Sequence, residues 1–299
     1  MDFCFPAENP SLPYSRLAGR PTCRPFKRVP LNKLSLLLGT GALALGLSAP
    51  GLTAPPRVQQ GVVDPVAANV PDDPELAKVI APFAAEIQAS FGRVIGYAPV
   101  ELAKGWPQGL SPLGSLVAEV MRREAVRTVG GEVRCAFTNS GSIRRNIPAG
   151  PVPIEIIFEA FPFENELVVA EYTGAEVVAI VEEGILHKGG EPSSGVQASV
   201  SGSAAHPVAS ITWSDGTPID PNGLYRVATT DYLLANGDST PTLKRGRHVV
   251  LTSKAVRQMV IDDFASLGRA GKPILAPEGD RYLFSPEISE AIKAKTLKF

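Results

Sequence analysis

Past residue 130, short apolar stretches of strand composition alternate with segments of helical period, and polar turns separate them. The pattern predicts a short strand over 133–138, a short helix over 154–161 and a strand over 166–172. Thr173 and Glu176 then form an S/T-x-x-E capping pattern, which starts a helix running to about His187. Residues 195–201, 208–213 and 225–230 predict three further strands, with the turn Ser214-Asp215-Gly216-Thr217 among them. A last helix is expected to start at Thr252 or Ser253 and to run to about Leu267. Such an order needs both parallel and antiparallel connections. It predicts an α+β fold, a mixed β-sheet flanked by helices.

Two helices precede this region. One is expected from Asp73 to about Ser90, with acidic residues in its first turn and Val79, Ile80, Phe83 and Ile87 at helical spacing as a buried face. For the other, Ser111 suits the N-cap and Pro112 the first helical position. Its apolar face is Leu113, Leu116, Val117, Val120 and Met121, and the basic end Arg122, Arg123, Arg127 suits a helix C-terminus.

The first 54 residues are of another kind. Six Lys and Arg between Arg16 and Lys33 precede an apolar run from Leu34 to Leu47, and small residues and Pro follow. A basic stretch, a short apolar core and a small-residue exit describe a secretory signal peptide. The run is short for a membrane span, so no stable membrane anchor is expected. The reading divides the chain into a signal peptide over 1–54, an extended Pro- and Val-rich linker over 55–72 and one domain over 73–299. It places the product in the periplasm or outside the cell. The segment carries six basic and two acidic side chains, so of the chain's 29 and 30, 23 and 28 remain, a formal charge of -5. That balance excludes a strongly basic nucleic-acid binder, and no nucleic-acid partner is expected. Cys4 and Cys23 leave with the signal, and Cys135 in R-C-A-F-T reads as a buried, inert thiol.

Catalytic signals are sparse. His187, His206 and His248 stand alone, without an acidic or His neighbour at metal-ligand spacing. Neither a G-x-S-x-G elbow nor a G-x-x-x-x-G-K-[ST] loop occurs. No catalytic residue and no metal ligand is assigned.

Three polar turns at strand ends say more. They are T-N-S-G-S-I-R (138–144), F-P-F-E-N (161–165) and D-Y-L-L-A-N-G-D (231–238). Small residues let a ligand approach the backbone closely, and an Arg fork can hold a carboxylate or phosphate. Two aromatics, an Arg, amides and a carboxylate make a nucleoside pocket: the rings sandwich a base and the carboxylate accepts ribose hydroxyls. Each turn alone has a plain structural reading, Phe163 as core, Asn139 as turn former, Arg144 as solvated charge.

In order and spacing these segments resemble the C-terminal, nucleotide-binding domain of the 5'-nucleotidase family. That family carries N-G-G-G-I-R, P-F-G-N, a T-G-x-x-[LV] stretch, Y-x-V-A-T, and an aromatic followed by A-x-G-G-D-G. Here they stand as N-S-G-S-I-R (139–144), P-F-E-N (162–165), Y-T-G-A-E-V (172–177), Y-R-V-A-T (225–229) and Y-L-L-A-N-G-D (232–238). The resemblance covers roughly residues 72–285. It implies that Asn139 and Arg144 are the Asn and Arg of the family's Gly-rich turn, of which the Arg helps bind the nucleotide's phosphate side, that Phe163 and Tyr232 stack on the base, that Asn165 lies near the base and that Asp238 binds ribose. Ser140, Ser142 and Glu164 depart from the family's glycines, and a further family Arg near 109–114 has no counterpart in G-L-S-P-L-G. Glu164 is expected to oppose phosphate binding unless it points away.

The family places a metallophosphoesterase domain before this one. The resemblance therefore implies recognition of a nucleoside or nucleotide within nucleotide catabolism, with hydrolysis left to a separate metallophosphoesterase chain. It implies no cofactor on this chain, divalent metals belonging to such a partner. Two other readings stand beside it: an autonomous hydrolase of nucleotides or other phosphoesters, and a degenerate interaction domain that binds no ligand.

Overall fold

The computed structural model describes residues 71–105, 109–278 and 282–299. The expected signal peptide and the expected linker up to residue 70 lie outside them. In chain order the elements are α1 (Pro74–Phe91), β1 (Val94–Ala98), α2 (Pro112–Val129), β2 (Cys135–Phe137), β3 (Gly150–Pro153), α3 (Ile154–Ala160), β4 (Glu166–Thr173) and α4 (Gly174–Lys188). There follow β5 (Ser193–Ser194), β6 (Val196–Gly202), β7 (Pro207–Trp213), β8 (Leu224–Thr230), α5 (Asp231–Asn236), β9 (Arg247–Ala255), α6 (Val256–Arg269), β10 (Tyr282–Phe284) and α7 (Pro286–Ala294).

Five strands form the central sheet in the order β5-β2-β8-β4-β9. β2 and β8 are parallel, and the other neighbours are antiparallel, so the sheet is mixed as expected. Successive side chains alternate between its faces. Ala136, Leu167, Val169 and Ala228 join one core with α2, α3 and α6, whereas Cys135, Phe137, Ala170, Tyr172 and Val227 join a second with α4 and α7. The sheet is thus the middle layer between two groups of helices. Two smaller, separate sheets are formed by β1-β3 and β10-β6-β7.

Local chemistry explains the best-defined helix starts. The Ser111 hydroxyl accepts from the Gly114 amide at 3.0 Å, and Pro112 follows at the first helical position. Thr173 and Glu176 make a reciprocal capping box: Thr173 Oγ1 accepts from the Glu176 amide at 3.2 Å and the Glu176 carboxylate from the Thr173 amide at 2.8 Å. Cys135 is fully buried, and burial pushes its thiol well above the ordinary range, as an inert core thiol requires.

Three expectations need correction. α1 forms where the sequence places it, but its apolar stripe is not buried: Val79, Ile80, Phe83 and Ile87 are 56–64% exposed. The stripe has helical spacing, yet α1 meets the rest of the described residues mainly through Phe91, which packs edge-on against Phe158 at 4.6 Å. Thr252 and Ser253 do not start the last long helix. They belong to β9, the edge strand beside β4, and α6 starts at Val256 behind Ala255, which offers no capping side chain. Finally, Arg122 and Arg123 serve side chains rather than the end of α2. Arg122 pairs with Glu119 at 3.0 Å and Arg123 with Asp263 at 2.7 Å; only Arg127 lies in the last turn.

The capping box also carries a charge. The Arg247 guanidinium hydrogen-bonds the Glu176 carboxylate, and with the Thr173 amide it holds that carboxyl at about 2 against an ordinary 4.5, opposed by burial. A depressed folded value contributes stability above the unfolded one and loses it as the pH falls. The wild type is therefore expected to lose stability on acidification from about 4.5 towards about 2. Glu176→Gln, which keeps the cap acceptor but not the charge, should show a shallower acid decline in thermal unfolding. Equal slopes would contradict the assignment.

Candidate functional site

Because β2 and β8 are parallel, with Ala136 beside Ala228, the loops that leave them emerge at the same end of the sheet. β4 runs against β8, Leu167 lying opposite Thr230, so the loop entering β4 arrives at that end too. The register thereby gathers the three polar segments that the sequence singles out. Asn139, Arg144, Phe163, Asn165, Tyr232 and Asp238 all line one cleft of about 280 Å³, together with Gly141 and Ser142.

Each loop is fixed by its own bonds. After β2, the Thr138 amide donates to the Pro192 carbonyl at 2.9 Å, and residues 140–142 make a single 3-10 turn closed by Ser142 Oγ on the Asn139 carbonyl at 2.7 Å. The Arg144 amide donates to the Ala160 carbonyl at 2.8 Å, which ties this loop to the end of α3. The third segment is not an open turn. Thr230 caps the six-residue helix α5 through the Leu233 amide at 3.2 Å, and Asp231 Oδ1 accepts from the Glu166 amide at 2.9 Å. These bonds place Tyr232 at the start of a short helix anchored to β4.

Phe163 and Tyr232 are each 41% exposed, as rings prepared to take a flat ligand must be. Asn139 is only 6% exposed; its Nδ2 donates to Asp238 Oδ2 at 2.9 Å. That partner fixes the amide's orientation, since the flipped form would set oxygen against carboxylate. Asp238 has φ +51°, a left-handed conformation uncommon for residues with a Cβ and best tolerated by Asp and Asn. Arg144 has no ion pair among the described residues, and its guanidinium carbon lies 4.9 Å from the Phe163 ring centroid.

Glu164 does not oppose Arg144 in the way the sequence suggests. Its exposed carboxylate pairs with Arg257, which also donates to the Phe161 carbonyl at 3.1 Å. A charge that looks unfavourable for phosphate is thus neutralised by a residue of α6 more than 90 positions away.

Sequence reasoning missed Glu191. It follows two glycines past the end of α4 and is only 5% exposed. Its carboxylate accepts from the Ser140 amide at 2.6 Å and from the Ser239 hydroxyl at 2.9 Å. Nothing local in K-G-G-E-P distinguishes it from a solvated charge, for both partners lie about fifty residues away.

Two roomier clefts, of about 610 Å³ each, lie elsewhere. The one between β1 and α6 gathers Arg93, Tyr97, Arg269 and Lys272 without an amide or carboxylate side chain. In the one between α2 and α6, lining charges pair with neighbours, as Glu124 does with Arg127 and Lys254 and Asp263 with Arg123. Size favours these two; the pairing of rings with polar groups favours the smaller cleft, and that chemistry decides. Among the described residues no group of three His, Cys, Asp or Glu side chains is arranged to hold a metal ion. No described helix is long and apolar enough to cross a membrane.

The family model for the 5'-nucleotidase C-terminal domain matches residues 94–245, and the chain belongs to that family. Among solved structures, a 5'-nucleotidase precursor from Thermus thermophilus aligns with a TM-score of 0.60 and 25% identity, covering 73% of this chain and 44% of that one. The trifunctional nucleotide phosphoesterase protein YfkN of Bacillus subtilis is 26% identical over 201 residues, 62% of this chain and 13% of its own length. The cell wall protein Lmo0130 of Listeria monocytogenes is 28% identical over 202 residues, 63% of this chain and 26% of its own length. The chain thus spans less than half the length of each of these relatives.

Proposed function

We propose that this chain binds a nucleoside or nucleotide in the cleft between its three loops, as the recognition part of an exported 5'-nucleotidase system. Base stacking falls to Phe163 and Tyr232, ribose hydroxyls to Asp238, and the neighbouring amides Asn139 and Asn165 orient the ligand. Arg144 faces the phosphate side. Hydrolysis comes from a separate metallophosphoesterase chain, which holds the divalent metals, and this chain carries no cofactor of its own. The observation that carries the reading is the convergence of six residues, drawn from loops up to about a hundred positions apart, on one cleft. The nucleotide phosphoesterase name of one relative and the cell wall name of another support substrate class and export respectively.

The cleft contains one cation, Arg144, and one carboxylate, Asp238, so it offers little net attraction for phosphate. Adenosine is therefore expected to bind within about tenfold of AMP, or about 1.4 kcal/mol. Titration calorimetry of the purified protein with both ligands tests this. A preference for AMP of about a hundredfold would contradict the assignment of the phosphate side. No binding of either ligand would leave the non-binding interaction domain as the better reading. Turnover of AMP with added zinc, manganese or cobalt would favour the autonomous hydrolase.

A further inference from the structure

Glu191 is a buried carboxylate that joins two of the three site loops without lining the cleft. One oxygen accepts from the Ser140 backbone amide at 2.6 Å, and the other from the Ser239 hydroxyl at 2.9 Å. Ser140 follows Asn139 and Ser239 follows Asp238, the pair bonded to each other at 2.9 Å. Two parallel ties, one exposed to the cleft and one behind it, therefore hold the first loop to the third. The end of α4 aims the carboxylate: Gly189 takes the left-handed conformation at φ +82°, and the Gly190 amide returns to the Gly184 carbonyl at 3.1 Å. The segment is then pinned from the site side, where the Thr138 amide meets the Pro192 carbonyl. His187 lies 3.8 Å from Glu191 Oε1, and Lys188 Nζ 3.5 Å from Ser140 Oγ.

We propose that Glu191 is a positioning residue for nucleoside recognition, setting Asp238 and Asn139 in register for the ribose; this rests on the nucleoside reading of the cleft. Asp238 needs such help because its left-handed backbone is unfavourable and must be held by its surroundings. Tyr232 does not depend on the same tie, since α5 has its own anchors at Thr230 and Asp231. The clamp consequently acts on the sugar and not on the base. A buried carboxylate that accepts two hydrogen bonds is costly to remove, because the Ser140 amide then has no acceptor.

Calorimetry with adenosine and with free adenine separates the two contributions. Glu191→Ala should weaken adenosine by about tenfold or more and leave adenine unchanged. Glu191→Gln should recover most of the loss, its amide oxygen facing Ser140 and its amide nitrogen facing Ser239. In an Asp238→Ala background, Glu191→Ala should have no further effect on adenosine. Hydrogen exchange at the Ser140 amide reports the clamp without any ligand, and its protection should fall in Glu191→Ala. Equal weakening of adenosine and adenine, or adenosine binding unchanged in Glu191→Ala, overturns the proposal. Failure of the unaltered protein to bind adenosine overturns the nucleoside reading and this role with it, and the Ser140 amide then shows whether the clamp itself exists.

Discussion

Phe264→Ala is expected to lower the free energy of unfolding by about 3–5 kcal/mol, the range for emptying a fully buried aromatic site. Phe264 is 0% exposed in the core that α6 shares with α2, α3 and β1. The surroundings cannot collapse easily into the space. The Gly268 and Gly96 backbones already bring α6 and β1 so close that a Cβ at Gly268 would lie 2.3 Å from the Ile95 carbonyl oxygen. Movement of α6 into the void is therefore blocked by backbone, and the cavity term stays large. Equilibrium urea unfolding of both proteins measures the difference, with an unchanged slope on denaturant showing that the native and denatured states are otherwise comparable. Val250→Ala on the exposed edge strand β9 serves as the control and should cost no more than about 0.5 kcal/mol. A loss below about 1 kcal/mol at Phe264 would mean that α6 and β1 repack more freely than this contact allows.

How far the sequence announces this structure depends on whether the determining contact is local. The starts of α2 and α4 are legible because Ser111 and Thr173 bond amides three residues away. The inner strands β2, β8 and β4 of the central sheet are legible because burial on two faces leaves an apolar run, as in Leu167–Ala170. β9 is not: it is an edge strand whose residues are mostly exposed, and R-H-V-V-L-T-S-K-A shows neither alternation nor a buried run. Its Thr252 looks like a cap, but its hydroxyl instead donates to the Leu167 carbonyl at 2.7 Å, across to β4. The exposed stripe of α1 shows the opposite failure: periodicity reveals that a face is apolar and says nothing about what covers it. α7, with its cap on Ser285, lies in a stretch to which the pattern assigns nothing.

The site divides along the same line. Asn139, Arg144, Phe163, Asn165, Tyr232 and Asp238 stand in recognisable motifs, and strand register brings them together. Glu191 and the Glu164–Arg257 pair are hidden because each acts across about fifty residues or more, on a partner that no local pattern names. Their effect is on the geometry and charge of residues the motifs do reveal. Resemblance alone therefore misjudges the electrostatics at Glu164, although both rings that it singles out line the cleft.

Removing either ring should weaken ligand binding by about 1–3 kcal/mol, the range for stacking of a base on an aromatic side chain. The two truncations should nevertheless differ. Tyr232 is held by α5, and among the described residues no cation rests on its ring as Arg144 does on Phe163, so Tyr232→Ala should weaken adenosine and AMP equally. Phe163 is also the platform on which the Arg144 guanidinium rests, at 4.9 Å from the ring centroid. Phe163→Ala should thus cost adenosine the stacking alone, and cost AMP the stacking plus whatever Arg144 contributes once its side chain is free to move. Arg144→Ala in the native background should weaken AMP only. In the Phe163→Ala background it should do little, which makes the pair non-additive towards AMP and additive towards adenosine. Calorimetric titration of the three single variants and the Phe163/Arg144 double variant with both ligands gives every term of that cycle. Additivity towards AMP would show that Arg144 reaches the phosphate without the ring, and unchanged binding after both ring truncations would remove the base from this cleft altogether.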